Sequence, residues 1–190
     1  MLVLILLIAA IPTAIFTERY EGGPRPQNRM EWSRTIAYWI FTMFVAFEMA
    51  AGAIWDLLRI EYVRVVLARL GYPMYLLVIL GVWRIPCALA LLAPRFERLK
   101  EWAYAGSIFN YTGAAASHLL KGDAAGSWIG PLVFAGFALA SWALRPAARR
   151  LPRSGDTAGA GWASWLAPVL TVAAMVGAAF LTLPKGAPPQ

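Results

Sequence analysis

Apolar residues run near Ser33–Trp55, Met74–Ala93, Trp102–Leu120, Gly126–Leu144 and Trp162–Leu183, broken only by a few isolated polar or charged side chains; charge, Pro or Gly bounds each run. Their lengths, about 18 to 23 residues, match what an α-helix needs to cross ~30 Å of hydrocarbon. Within them the backbone must satisfy its own hydrogen bonds, because lipid offers none, so the pattern predicts helices. A sixth run, Met1–Phe16, is shorter than an ordinary span and lacks the basic start and small-residue cleavage site of a leader. It is read as a short sixth span, with a cleaved leader or a true start at Met30 as the alternatives.

One stretch has a different period. Between Leu57 and Leu70, residues Ile60, Val63, Val66, Leu67 and Leu70 share one helical face, while Glu61, Arg64 and Ala68 lie opposite. The spacing predicts an amphipathic helix lying on the outer surface, stopped by Gly71 before Pro73. It serves either as a gate or as a cover packed on the bundle. From Pro146 to Gly161 the chain is rich in Arg, Pro, Gly and Ala, which predicts a flexible linker. The domain reading is thus an N-terminal hydrophobic segment and loop over 1–32, a four-helix core over 33–145, a linker over 146–161, and a further helix with tail over 162–190.

Composition sharpens this picture. Sixty per cent of the 190 residues are hydrophobic, more than a water-soluble chain of this size can hide. The formal charge of +7 does not point to nucleic acid, since the basic residues sit between the apolar runs rather than along one face. Anionic headgroups of the bilayer are the expected counter-charge. Of the 17 Lys and Arg residues, eleven flank one side of the runs and five the other. The bias places both ends of the four-helix core in the cytoplasm of a multi-pass inner-membrane protein. Trp32, Trp55, Trp102, Trp128, Trp142 and Trp162 fall at run ends, as an interfacial aromatic belt requires.

The single cysteine, Cys87, lies inside an apolar run, which excludes an intramolecular disulfide and reads most simply as a small hydrophobe. One histidine supplies too few ligands for zinc or haem, so no metal site is expected. There is no phosphate-binding glycine loop, no G-x-S-x-G and no HExxH.

Ionisable residues at membrane depth cost ~2.5 kcal/mol or more on insertion scales, so they face the bundle or water. Glu48, Arg84 and His118 are such residues, and Asn110 lies at a depth similar to that of Arg84. Gly52, Gly81, Ala88, Gly113 and Ser117 share their faces and would let helices approach closely. Pro86 removes a backbone donor and frees the carbonyl of Val82, which would open space beside Arg84. Two readings follow. In one, Arg84 paired with Glu48 binds an anionic or carbonyl-bearing ligand and His118 relays a proton. In the other, Glu48 and Arg84 form a structural ion pair, while His118 and Lys121 reach for the interface.

The strings LGYPMYLLVILGVWRIPCALALLAP (Leu70–Pro94), RLKEWAYAGSIFNYTGAAASHLLKGD (Arg98–Asp123) and SWALRP (Ser141–Pro146) resemble the DoxX-like branch of the DoxX membrane proteins. The resemblance implies a four-helix membrane bundle. It also implies kinship with a subunit linked to thiosulfate and quinone oxidation, with members that associate with superoxide dismutase and a sulfurtransferase, and with membrane chaperones. Motif positions carried over are Gly71, Tyr72, Pro73, Tyr75, Glu101, Trp102, Tyr104, Gly106, Ser117 and His118. Arg84 stands where family members commonly carry lysine, and arginine releases a proton far less readily.

Together these readings predict an all-α membrane protein: a four-helix bundle with an extra C-terminal helix and, if 1–16 spans, an N-terminal one. The function expected is that of a membrane redox subunit, with a quinone-like or other small lipophilic ligand as the only cofactor candidate. Glu48, Arg84, Asn110, Tyr72, Tyr104 and Ser117 would bind it, and His118 would be the proton-transferring residue. Membrane or soluble redox proteins, and further copies of the chain, would be its partners. A non-catalytic scaffold or assembly factor is the alternative from another class, and a proton-coupled carrier of small solutes is a third.

Overall fold

A computed structural model of the chain describes residues 29–93, 96–146 and 149–151, with residue 12 alone outside them. The helices expected over 1–16 and Trp162–Leu183, and most of the linker, lie outside the described residues. Among those described, every regular element is a helix: α1 (Arg29–Leu57), α2 (Glu61–Leu70), α3 (Tyr75–Leu92), α4 (Glu97–Leu120) and α5 (Ala125–Leu144). The four long helices pack in a cycle in which α1 touches α3 and α5, and α4 touches the same two.

In α1 the buried positions Thr35, Tyr38, Thr42, Val45, Met49, Gly52 and Asp56 alternate by three and four residues, joined by Trp39, Ala46 and Ala53. A seven-residue repeat of this kind keeps one stripe facing its neighbours through a shallow-angle bundle. Small side chains set the approach. A Cβ built on Gly81 of α3 would meet the Leu57 side chain at 2.7 Å and the Ala53 carbonyl at 3.2 Å, so α1 and α3 are in close backbone contact there. Tyr111 of α4 stacks on Phe134 of α5 at 5.6 Å, and Phe134 meets Phe137 edge-on at 5.8 Å. Phe137 in turn touches Phe41 and Phe44 of α1.

Three helices, α1, α3 and α5, are long and apolar enough to cross a membrane. The sequence pattern predicts the same of the run in α4. The helix observed there starts earlier, at Glu97, and is 24 residues long, but it carries Lys100, Glu101, Ser107, Asn110, Thr112, Ser117 and His118. Its buried stripe, Lys100, Tyr104, Ser107 and Tyr111, is polar at one end of each side chain. The helix therefore turns the polar ends of this stripe to the bundle while Trp102, Phe109 and Leu120 face outwards.

The amphipathic helix is present as α2, with the expected face turned inwards and Leu67 buried. It begins at Glu61 rather than Leu57 because α1 continues through Leu57 and Arg59, at φ 48°, breaks the chain direction between them. Gly71 ends α2 at φ 86°, its N–H bonded to the Ala68 carbonyl and the next N–H, of Tyr72, to that of Leu67. This is the left-handed C-terminal closure that glycine provides without a Cβ clash.

The opposite end of the bundle carries a second closure. The last carbonyls of α3 have no helical partner and are covered by protein. Lys100, fully buried, donates to the carbonyls of Ala90 and Ala93. Arg149 donates to those of Leu91 and Leu92 at 3.2 and 3.3 Å, with its guanidinium 4.5 Å from the Trp39 ring centre. Two cations thus sit on the negative end of the α3 dipole.

Candidate functional site

The polar residues of the bundle fall into three places. In the first, Glu48, Gly52 and Asp56 succeed one another at four-residue steps on α1, so all three line one face. Gly52 has no side chain, and the guanidinium of Arg84 from α3 occupies the room this leaves: a Cβ there would collide with Nη1. That nitrogen lies 3.7 Å from Glu48 Oε1 and 3.4 Å from Asp56 Oδ2. From α4, the Tyr111 hydroxyl donates to the other Glu48 oxygen at 2.6 Å. Asp56 is only 4% exposed, and its Oδ2 accepts no hydrogen bond among the described residues; Arg84 Nε–H likewise donates to none.

Beside this cluster a cleft of about 510 Å³ opens between α3 and α4, with Met49 of α1 at its floor. Arg84 and Asn110 line it, as do Pro86 and the pair Cys87 and Ser107, whose Sγ and Oγ are 3.2 Å apart. Pro86 lies within α3, where its missing N–H and its ring displace the local ladder on the cleft side. Trp83, Trp102 and Phe109 also line it and are 71%, 77% and 75% exposed. Large apolar side chains exposed on membrane helices meet acyl chains, so the cleft opens sideways into lipid.

The second place is the end of the bundle beside α2. His118 Nδ1 lies 2.7 Å from Asp123 Oδ2, and Arg69 of α2 lies 2.7 Å from Oδ1. The Ser117 hydroxyl donates to the Gly113 carbonyl, so at 2.8 Å the Tyr72 hydroxyl is the donor to Ser117. These contacts tie α2 and its closing turn to α4. The hydrogen bond from His118, helped by Arg69, holds the Asp123 carboxyl below the usual carboxylate range. A carboxyl lowered in this way contributes stability above its unfolded pKa, about 4, and loses it as pH falls through the folded value. The expected result is that protease cleavage around α2 stays slow down to roughly pH 4 and accelerates below it. Asp123→Asn should remove that acid step and leave cleavage fast throughout.

The third place lies towards the other end. Thr42 donates to the Tyr38 carbonyl at 2.7 Å, which leaves Ser141 to donate to Thr42 at 2.7 Å and Tyr104 to donate to Ser141 at 2.8 Å. This directed chain satisfies the hydroxyls of Thr42, Ser141 and Tyr104 and joins α4, α5 and α1. Arg145 covers it, 5.1 Å from the Tyr104 ring, and donates to Glu101 at 2.7 Å.

The residues expected to act together are therefore distributed. Glu48 and Arg84 meet; Arg84 and Asn110 share the cleft; His118, Tyr72 and Ser117 stand at the α2 end; Tyr104 belongs to the hydroxyl chain. Sequence reasoning missed Asp56 and Tyr111. Asp56 was legible as the third member of the four-step series through Glu48 and Gly52, and Tyr111 as one heptad beyond Tyr104. Among the described residues no group of three His, Cys, Asp or Glu could hold a metal ion.

The family model of the DoxX-like proteins matches residues 40–141, more than half of the chain and all of the contacts of Glu48, Arg84 and the cleft. No curated protein and no solved structure matches it. The match joins the helix order, the apolar spans and the motif-bearing turns in one conclusion: this chain belongs to the DoxX-like family and is a multi-pass membrane protein set in a lipid bilayer.

Proposed function

We propose that the protein binds a small lipophilic molecule with a carbonyl or acidic headgroup, quinone-like in its chemistry, that enters from the bilayer between α3 and α4. The observation that carries this is the cleft itself: an apolar mouth of Trp83, Trp102 and Phe109 leading to Arg84 and Asn110. Its volume falls within the range of small-molecule sites, which are mostly apolar with a few converging polar groups. Arg84 would donate to one carbonyl or acidic oxygen and the Asn110 amide to another, while the tail stays among acyl chains. Glu48 and Asp56 hold the guanidinium from behind, so the donors are oriented before the ligand arrives.

Within this reading the protein is a subunit of a membrane redox system, with its basic end, around Arg34, Arg98 and Arg145, in the cytoplasm of the cell that bears it in its inner membrane. His118 lies at the far end from that surface and in contact with Asp123, so its part is in holding α2 rather than in touching the headgroup.

Photolabelling tests the site. The full chain, reconstituted in lipid nanodiscs with a photoreactive short-chain ubiquinone analogue, should be labelled on α3 and α4 around Trp83, Trp102 and Phe109. Unlabelled analogue should compete, and Arg84→Gln should cut labelling by roughly tenfold, the loss of one charge-assisted hydrogen bond. Label scattered over all lipid-facing helices, with no effect of Arg84→Gln, would instead favour a scaffold whose exposed aromatics dock other proteins.

A further inference from the structure

Three charged groups meet inside the bundle: the carboxyls of Glu48 and Asp56 and the guanidinium of Arg84. With all three ionised the cluster carries one uncompensated negative charge. An unbalanced charge away from water costs several kcal/mol, and such a group neutralises in preference to remaining charged. The two carboxyls are not equivalent. Glu48 is served by a hydrogen bond from Tyr111 as well as by Arg84. Asp56 is 4% exposed, is attracted by Arg84 and repelled by Glu48, and its Oδ2 accepts no hydrogen bond among the described residues.

We propose that the Glu48–Arg84–Asp56 cluster is a proton-binding site that holds one exchangeable proton, carried on Asp56. The proton balances the cluster's charge and supplies the buried carboxyl with a neutral form. Around it stand Glu48 on α1, Arg84 and Cys87 on α3 and Tyr111 on α4; α5 presents the ring of Phe134 behind Tyr111. Asp56 lies in the last turn of α1, two residues before the chain turns towards α2, whereas Arg84 also lines the cleft. The site therefore links that end of the bundle to the cleft through a single guanidinium. Resting on the ligand reading given above, this means that a ligand drawing the charge of Arg84 towards the cleft raises the cluster's hold on its proton, and an acidic ligand takes up a proton on binding. The proton site itself stands without that reading, since it follows from the charges on α1 and α3.

Infrared difference spectra of the full chain in nanodiscs, without added ligand, read this directly. At neutral pH a carboxylic-acid C=O band should be present, shift in D2O, and disappear as the pH is raised. Asp56→Asn should abolish it by removing the acid. Glu48→Gln should abolish it too, because one carboxylate against one guanidinium is already balanced and Asp56 then ionises. A merely structural ion pair predicts no such loss from Glu48→Gln. Thermal unfolding of each variant confirms that it is folded, and the two substitutions act independently, so failure of one leaves the other decisive. Absence of the band at neutral pH, its survival in either folded variant, or its removal by sodium at constant pH would overturn the proposal. None of these outcomes bears on whether the quinone analogue labels α3 and α4, so the two readings fail separately.

Discussion

Arg84→Ala is expected to destabilise the bundle by about 3 to 5 kcal/mol, the range measured when one partner of a buried ion pair is removed. The loss comes less from the attraction forgone than from what remains: two carboxyls in a covered site, one of them almost wholly buried. Without the guanidinium, the charged forms of both are unopposed and the folded state favours their protonated forms. The deficit should therefore grow as pH rises and shrink as it falls, the reverse of the behaviour expected at Asp123. Adding Asp56→Asn and Glu48→Gln to Arg84→Ala should recover part of the stability, because no buried charge is then left. Gly52→Ala should mimic the single change in weaker form. Its Cβ displaces Arg84 Nη1, and although the tip of an arginine moves readily, moving it breaks both ion pairs. Thermal unfolding of the reconstituted protein across a pH series checks all three variants. A flat pH dependence for Arg84→Ala would show that the carboxyls are better solvated than their burial implies.

The other large effect is expected at Lys100. Lys100→Met keeps the length of the side chain and removes the ammonium that donates to the carbonyls of Ala90 and Ala93, leaving them unsatisfied where protein covers them. Each buried acceptor left unpaired costs about 1 to 3 kcal/mol. Methionine avoids the desolvation of a buried ammonium, so the net expected loss is about 2 to 4 kcal/mol. The damage should be local. Amide exchange should accelerate in the last turn of α3, Leu89–Leu92, and remain slow in the middle of α1. Exchange that accelerates evenly through the bundle would instead assign Lys100 to global stability. A surface lysine would give neither result, since its substitution normally changes stability by less than about half a kcal/mol.

The Lys100 result also corrects a way of reading charge. By the positive-inside rule Lys100 and Arg149 count as loop charges that report orientation. In the structure both are buried and close the end of α3, so their positions are dictated by backbone carbonyls at least as much as by the membrane. Hydropathy could not reveal this, because a scale assigns lysine one value whether it faces water or two orphan carbonyls. The same limitation explains α4. Read as a string it is the most polar of the four long helices, yet its polar atoms are spent on other helices: Tyr104 on Ser141, Tyr111 on Glu48, Cys87 and Ser107 on each other.

Solvation and the helical period are local properties, written residue by residue, and for that reason the sequence alone determined the helices α1, α3, α4 and α5, the inward face of α2, its stop at Gly71 and the family motifs. It also marked Glu48, Arg84 and Asn110 as too costly to face lipid. What only the tertiary structure decided was partnership. Whether side chains from separate helices meet depends on how each helix is rotated and how closely it approaches, and that is set by packing over the whole bundle, here by Gly52 and Gly81 admitting a guanidinium and a neighbouring backbone. Thus Asp56 joins Glu48 and Arg84, whereas His118 turns to Asp123 and Tyr104 to Ser141.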